Sequence, residues 1–102
     1  MKFGKYLYKT KLYKQWRDKV YKRDRYMCRL CHKKGYIEAH HIKRKAYYPS
    51  LIYVVANGIT LCKEHHEMVT GEEEKWEYVF FQIVRYNIWD LDEVQKMIGK
   101  HE

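Results

Sequence analysis

Proline is nearly absent from this 102-residue chain: Pro49 is the only one, and glycine occurs five times. That excludes collagen-like repeats and long Pro/Gly linkers, and it leaves one compact domain spanning 1–102 as the expectation. No apolar run approaches the roughly 18–20 residues that a membrane span needs. Lysines break up the N-terminal Met-Lys-Phe-Gly-Lys-Tyr-Leu-Tyr-Lys, so no signal-peptide apolar region is expected there. Cysteine occurs three times. Three thiols cannot all pair within one chain, so a disulfide framework is excluded and a reducing, cytoplasmic setting is expected. Reduced cysteines at fixed spacing are better read as metal ligands. Apolar material is not lacking: hydrophobic residues make up 46%, with 11 Tyr and 3 Trp. A core is therefore expected, although a domain this small benefits from a metal staple.

Acidic residues are scarce in the first part of the chain. Residues 1–45 hold 16 Lys+Arg against 3 Asp+Glu, whereas residues 46–102 hold 5 against 10. The whole chain carries a formal charge of +8. A basic half of this density is the electrostatic footprint of a polyanionic partner, and equally of a well-solvated basic surface. Tyrosines interleave with the lysines: Lys5, Tyr6, Tyr8, Lys9, Lys11, Tyr13, Lys14. Such residues contact phosphate or stack on bases. Lys9, Lys14 and Arg17 are the nucleic-acid contacts expected from this stretch.

Hydrophobic periodicity orders the elements. Leu12, Trp16 and Val20, with Tyr13 and Tyr21 alongside, predict an amphipathic helix over about 11–24. A tight turn closed by Gly35 follows. Residues 36–42 and 58–62 predict two short strands, separated by an aromatic-rich connection. A helix is expected from about Lys63 to near Gly71. Trp76, Val79, Phe80, Ile83 and Val84 form a helical stripe. It reads either as a face packed on the core or as a surface for a second copy or another partner. Asp90 and Glu93 form a capping pattern before a last helix that ends near Gly99.

Cys28-x-x-Cys31 and Cys62-x-x-His65 are two matched knuckles. Pairs spaced in this way on tight turns present both ligands to one ion, and three thiolates with one imidazole form a complete tetrahedral zinc shell. Cys28-x-x-Cys31-His32 also spells a c-type haem attachment motif. That reading needs export and leaves Cys62 and His65 unexplained, so His32 is expected to be an exposed turn residue. Two adjacent histidine pairs remain, His40-His41 and His65-His66. Strand neighbours point to opposite faces, so His40 and His41 cannot share one role. If His65 closes the zinc site, His66 points toward the hairpin. His40 and His66 then form a candidate pair of ligands for a divalent metal, with His41 free beside them.

The run Glu38-Ala-His-His-Ile42, then Asn57-Gly-Ile-Thr-Leu-Cys62, then His65-His66 resembles the HNH endonucleases. The family's signature falls on His41, Asn57 and His66. The resemblance covers about 11–71 and leaves a helical extension over about 72–102; the lead-in helix is similar to that of small phage-type members. It implies an α+β fold: a ββα-metal (His-Me finger) core on a zinc-bound treble-clef-like scaffold with flanking helices. It implies a phosphodiester hydrolase that nicks or cuts DNA with weak sequence preference. His41 would be general base, and His40 and His66 would hold one Mg²⁺, Mn²⁺ or Ni²⁺. Asn57 would brace the loop so that a main-chain carbonyl orients His41. Lys43 and Arg44, just past the base, are expected phosphate clamps or simple surface charges. The second knuckle usually ends in Cys where this chain has His65. Some members carry a further metal-binding His where this chain has Thr70. The alternative is a zinc-stapled DNA-binding or DNA-packaging module without catalysis. If the chain is phage-encoded, its setting would be the host cytoplasm.

Overall fold

The computed structural model describes residues 10–100, and Lys9 lies outside that range. Thr10 caps the first helix, its hydroxyl accepting a hydrogen bond from Tyr13 N at 3.1 Å. Helix α1 spans Lys11–Arg23 and buries Tyr13, Trp16 and Val20. Leu12, expected on that stripe, is instead 56% exposed. The cover over this face comes from Ala39, Tyr53 and Val55, and it lies on the Tyr13 side of the stripe.

Strands β1 (Ile37–His41) and β2 (Gly58–Cys62) form a two-stranded antiparallel sheet. The register runs from Ile37 opposite Cys62 to His41 opposite Gly58. Helix α1 crosses the start of β2 at Gly58. A Cβ added there would lie 2.5 Å from Val20 Cγ2 and 2.7 Å from Trp16 Cζ2, so only glycine fits. The connection between the strands contains two 3₁₀ turns, Pro49–Leu51 and Val55–Asn57. Trp16 Nε1 donates to Val54 O at 2.8 Å and anchors this connection to α1.

Helix α2 (Lys63–Val69) follows β2 directly. Helices α3 (Glu73–Arg85) and α4 (Leu91–Gly99) complete the described chain. Asp90 caps α4 by accepting from Glu93 N at 2.9 Å. Trp76, Val79, Phe80 and Ile83 are buried in one core with Ile59, Leu61 and Val69. The aromatic stripe is thus spent within the chain. Any surface that α3 offers a second copy or a packaging partner must use its other side, where Tyr78 is exposed.

A buried charge network joins the parts. Asp24 is fully buried and accepts from Arg29 Nη1 at 2.7 Å and Thr60 N at 2.9 Å. Arg23 adds two bonds to the same carboxylate. Arg29 also donates to Ile88 O at 2.9 Å and packs 3.8 Å from the Trp89 ring centroid. His32 is not the exposed turn residue expected. It is half-buried, adopts φ 63°, and lies 5.6 Å from Trp89 between ring centroids. Trp89 could not be foreseen there, because 57 residues separate it from His32 in the sequence.

Candidate functional site

The two knuckles meet. The ligand atoms of Cys28, Cys31, Cys62 and His65 all lie within 4.8 Å of one another. Cys31 Sγ is 3.8 Å from Cys62 Sγ, and His65 Nδ1 is 3.5 Å from Cys28 Sγ and 3.3 Å from Cys62 Sγ. A tetrahedral zinc with bonds of about 2.3 Å to sulfur and 2.0–2.1 Å to nitrogen needs edges of roughly 3.8 and 3.5 Å. The observed edges fit that ion, with His65 binding through Nδ1. The local backbone explains the turn: His32 N donates to Cys28 O at 2.7 Å and Cys28 N to Lys33 O at 2.9 Å. Burial pushes the Cys28 thiol up to about 12. A bound cation is what converts such a thiol to a ligating thiolate at neutral pH.

His66, one residue on, faces the hairpin. It lines a cavity of about 280 Å³ together with His40, His41, Arg44 and Glu73. The strand pleat sends His40 and His41 to different neighbours. His41 stacks on Trp16 at a centroid distance of 4.0 Å and an interplanar angle of 5°. His40 meets Phe80 and His66 edge-on, each at 5.8 Å.

His41 Nε2 lies 3.0 Å from Ile52 O. A carbonyl only accepts, so Nε2 carries the proton and Nδ1 keeps a lone pair. Burial holds the His41 pKa down at about 4. The ring is therefore neutral at pH 7, with Nδ1 as its acceptor nitrogen. Asn57 is 2% exposed and braces the loop that carries Ile52. Its Oδ1 accepts from Lys43 N at 2.8 Å, and its Nδ2 donates to Lys43 O and Leu51 O, each at 3.2 Å.

His40 Nε2 is buried and has no hydrogen-bond partner. Burial, with His66 adding to it, lowers the His40 pKa to about 4. His66 Nδ1 lies 2.9 Å from Glu38 Oε2. That leaves His66 Nε2 as its free ring nitrogen. A ring centroid sits roughly 3.2 Å from an ion bound at about 2.1 Å, so rings 5.8 Å apart are close enough to share one. An orphaned buried nitrogen and a carboxylate-braced imidazole fit a divalent metal.

Residues 28–69 match the family profile of the HNH endonucleases. The similarity to that family is confined to 42 of the 102 residues. No curated protein and no solved structure is significantly similar to the chain. The matched stretch runs from the first zinc knuckle to the end of α2 and contains the hairpin. Helix α1, which stacks on His41, and helices α3 and α4 lie outside it.

The remaining predicted residues are placed as follows. Lys43 Nζ pairs with Glu77 at 2.8 Å, and Arg44 Nη2 pairs with Glu73 at 2.7 Å. Both expected clamps are therefore tied to α3, although Arg44 still lines the cavity. Arg17 lies on α1 beside a second hollow, and Lys14 is exposed. Thr70 lies beyond the last turn of α2, and its hydroxyl donates to His66 O at 2.6 Å. Position 70 thus caps the helix. Sequence reasoning gave no role to Glu38, Glu73 or the Ile52 carbonyl. Only Glu38 had a readable signal: it lies two residues before His40 and so shares its face of β1.

Proposed function

We propose that the chain is a metal-dependent DNA endonuclease that hydrolyses phosphodiester bonds. The observation that carries this reading is the oriented, neutral His41, sharing one cavity with His40 and His66. His41 Nδ1 takes a proton from water. The water oxygen bonds to phosphorus as the bond from phosphorus to the 3′-oxygen breaks. The leaving 3′-oxygen takes a proton from a solvent water, so the products are 5′-phosphate and 3′-hydroxyl ends. Asn57 acts through the loop and keeps the Ile52 carbonyl on His41 Nε2. Glu38 fixes the ring of His66 in the same way. His40 and His66 would hold Mg²⁺, Mn²⁺ or Ni²⁺, which would supply Lewis-acid stabilisation of charge on the phosphoryl and leaving oxygens. Zinc at Cys28, Cys31, Cys62 and His65 is the structural ion. Arg44 supplies a cation at the cavity wall, and the basic face of α1, with Lys14 and Arg17, attracts the polyanion.

Incubation of the zinc-loaded protein with supercoiled plasmid tests this. Nicking is expected with added Mg²⁺, Mn²⁺ or Ni²⁺ and none in chelator, and the new ends should be substrates for ligase. Binding without cleavage under every metal would favour the alternative, a zinc-stapled DNA-binding or packaging module.

A further inference from the structure

The cavity holding the three histidines has a neighbour. A second hollow of about 420 Å³ lies between α1 and the outer edge of β1. Tyr13, Arg17 and Tyr21 stand at i, i+4 and i+8 on α1, so they form one row along its wall. Tyr36 and the first residues of β1 make the opposite wall. His66 and Ala39 line both hollows. A strand whose phosphate reaches His66 therefore brings its adjoining nucleotide to this groove.

The lining suits a nucleobase. Tyr36 is 64% exposed and offers an aromatic face. Arg17 keeps 38% of its side chain exposed at the groove wall, while its buried Nε lies 3.5 Å from the exposed Asp18 carboxylate. Tyr21 donates its hydroxyl to Ile37 O at 3.3 Å, which fixes its ring against the edge of β1. Glu38, the acidic residue of the lining, has its carboxylate held by His66. A hollow of this volume has room for one nucleoside and not for a stacked base pair and its neighbours. An aromatic wall gains from a base only when the face of that base is free of its stacked neighbours.

We propose that this groove takes one unpaired nucleobase of the substrate strand, stacked on Tyr36 and contacted by Arg17. The proposal rests on the nuclease reading and names its substrate class: single-stranded, gapped or flapped DNA in preference to intact duplex.

The test uses the zinc-loaded full chain, Mn²⁺ and two oligonucleotides of one sequence. One is fully paired; the other holds an unpaired 5-iodo-deoxyuridine in a gap. Cleavage rates and the ultraviolet cross-link, mapped by mass spectrometry, are the readouts. The gapped substrate is expected to be cleaved about 10-fold faster or more, with the cross-link on Tyr36 or Tyr21. Tyr36→Ala should lower that preference at least about 5-fold, the lower end of one lost base stack, bringing the two rates close together. Tyr36→Trp should keep it, Arg17→Ala should reduce it, and Tyr78→Ala, on α3, should leave it unchanged. Equal cleavage of both substrates, an unaltered preference in Tyr36→Ala, or a cross-link elsewhere overturns the groove while leaving the nuclease reading intact. A cross-link on Tyr36 with no cleavage of any DNA keeps the groove and removes the nuclease.

Discussion

Cys31→Ala is expected to abolish cooperative folding, and stripping the wild-type protein with a strong chelator should do the same. The reason lies in what surrounds the knuckle. Cys28 and Cys62 sit within the main apolar core, next to Leu30, Ile59 and Leu61. Without the ion, a cluster of thiols and one imidazole is left in that core with no centre to hold it. Structural zinc contributes about 10–16 kcal/mol of apparent binding free energy. Whole domains are stable by only about 5–15 kcal/mol. The loss of one ligand therefore competes with the entire stability of a small domain. The thermal transition followed by circular dichroism should lose its sigmoid shape in Cys31→Ala. Elemental analysis should find zinc in the wild type and little in the variant. A sharp transition in metal-free protein would show that the four ligands are ordinary core residues.

His41→Ala is expected to lower cleavage by about 10²- to 10⁴-fold, the usual worth of a positioned general base. At about 1.4 kcal/mol per factor of ten, that is roughly 3–5 kcal/mol of transition-state stabilisation. The substitution also removes the stack on Trp16 and leaves the Ile52 carbonyl without its donor. An unmade buried hydrogen bond costs about 1–3 kcal/mol of stability. The variant should therefore be less stable yet still folded. It should keep its zinc, because none of the four zinc ligands is touched. Nicking rates compared at a temperature where both proteins are folded separate the two effects. A variant that retains most of the activity would place the base elsewhere.

Local features were legible in the sequence, and features assembled from distant residues were not. The knuckles can be read because two ligands two residues apart on a turn must face the same ion, whatever the rest of the chain does. Strand β2 and α2 are legible for a similar reason: the Asn57–Cys62 run and the histidines after it lie within ten residues. The second half of the site depends on long-range packing. Lys43 and Arg44 read as phosphate clamps or simple surface charges, and not as ion-paired residues, because Glu77 and Glu73 lie about thirty residues further on. Leu12 looked buried because periodicity gives the direction of a stripe and not the extent of what covers it. The carbonyl that orients His41 belongs to Ile52, a residue whose side chain carries no hint of the role. The tail stripe was readable as apolar, but only the structure shows that Phe80 lies against His40.

One measurement bears most directly on the claim that neighbouring histidines on α2 serve two separate centres. His65 Nδ1 lies in the sulfur cluster, whereas His66 Nδ1 lies on Glu38, with the His66 ring lining the cavity that also holds His40 and His41. The zinc content of purified His66→Ala and His65→Ala, each expressed without added metal, distinguishes the centres. His66→Ala should retain about one zinc per chain, the content of a single four-ligand site, with nicking lost. His65→Ala should lose most of its zinc and its cooperative fold. Zinc loss in His66→Ala together with full zinc in His65→Ala would contradict the assignment of both centres.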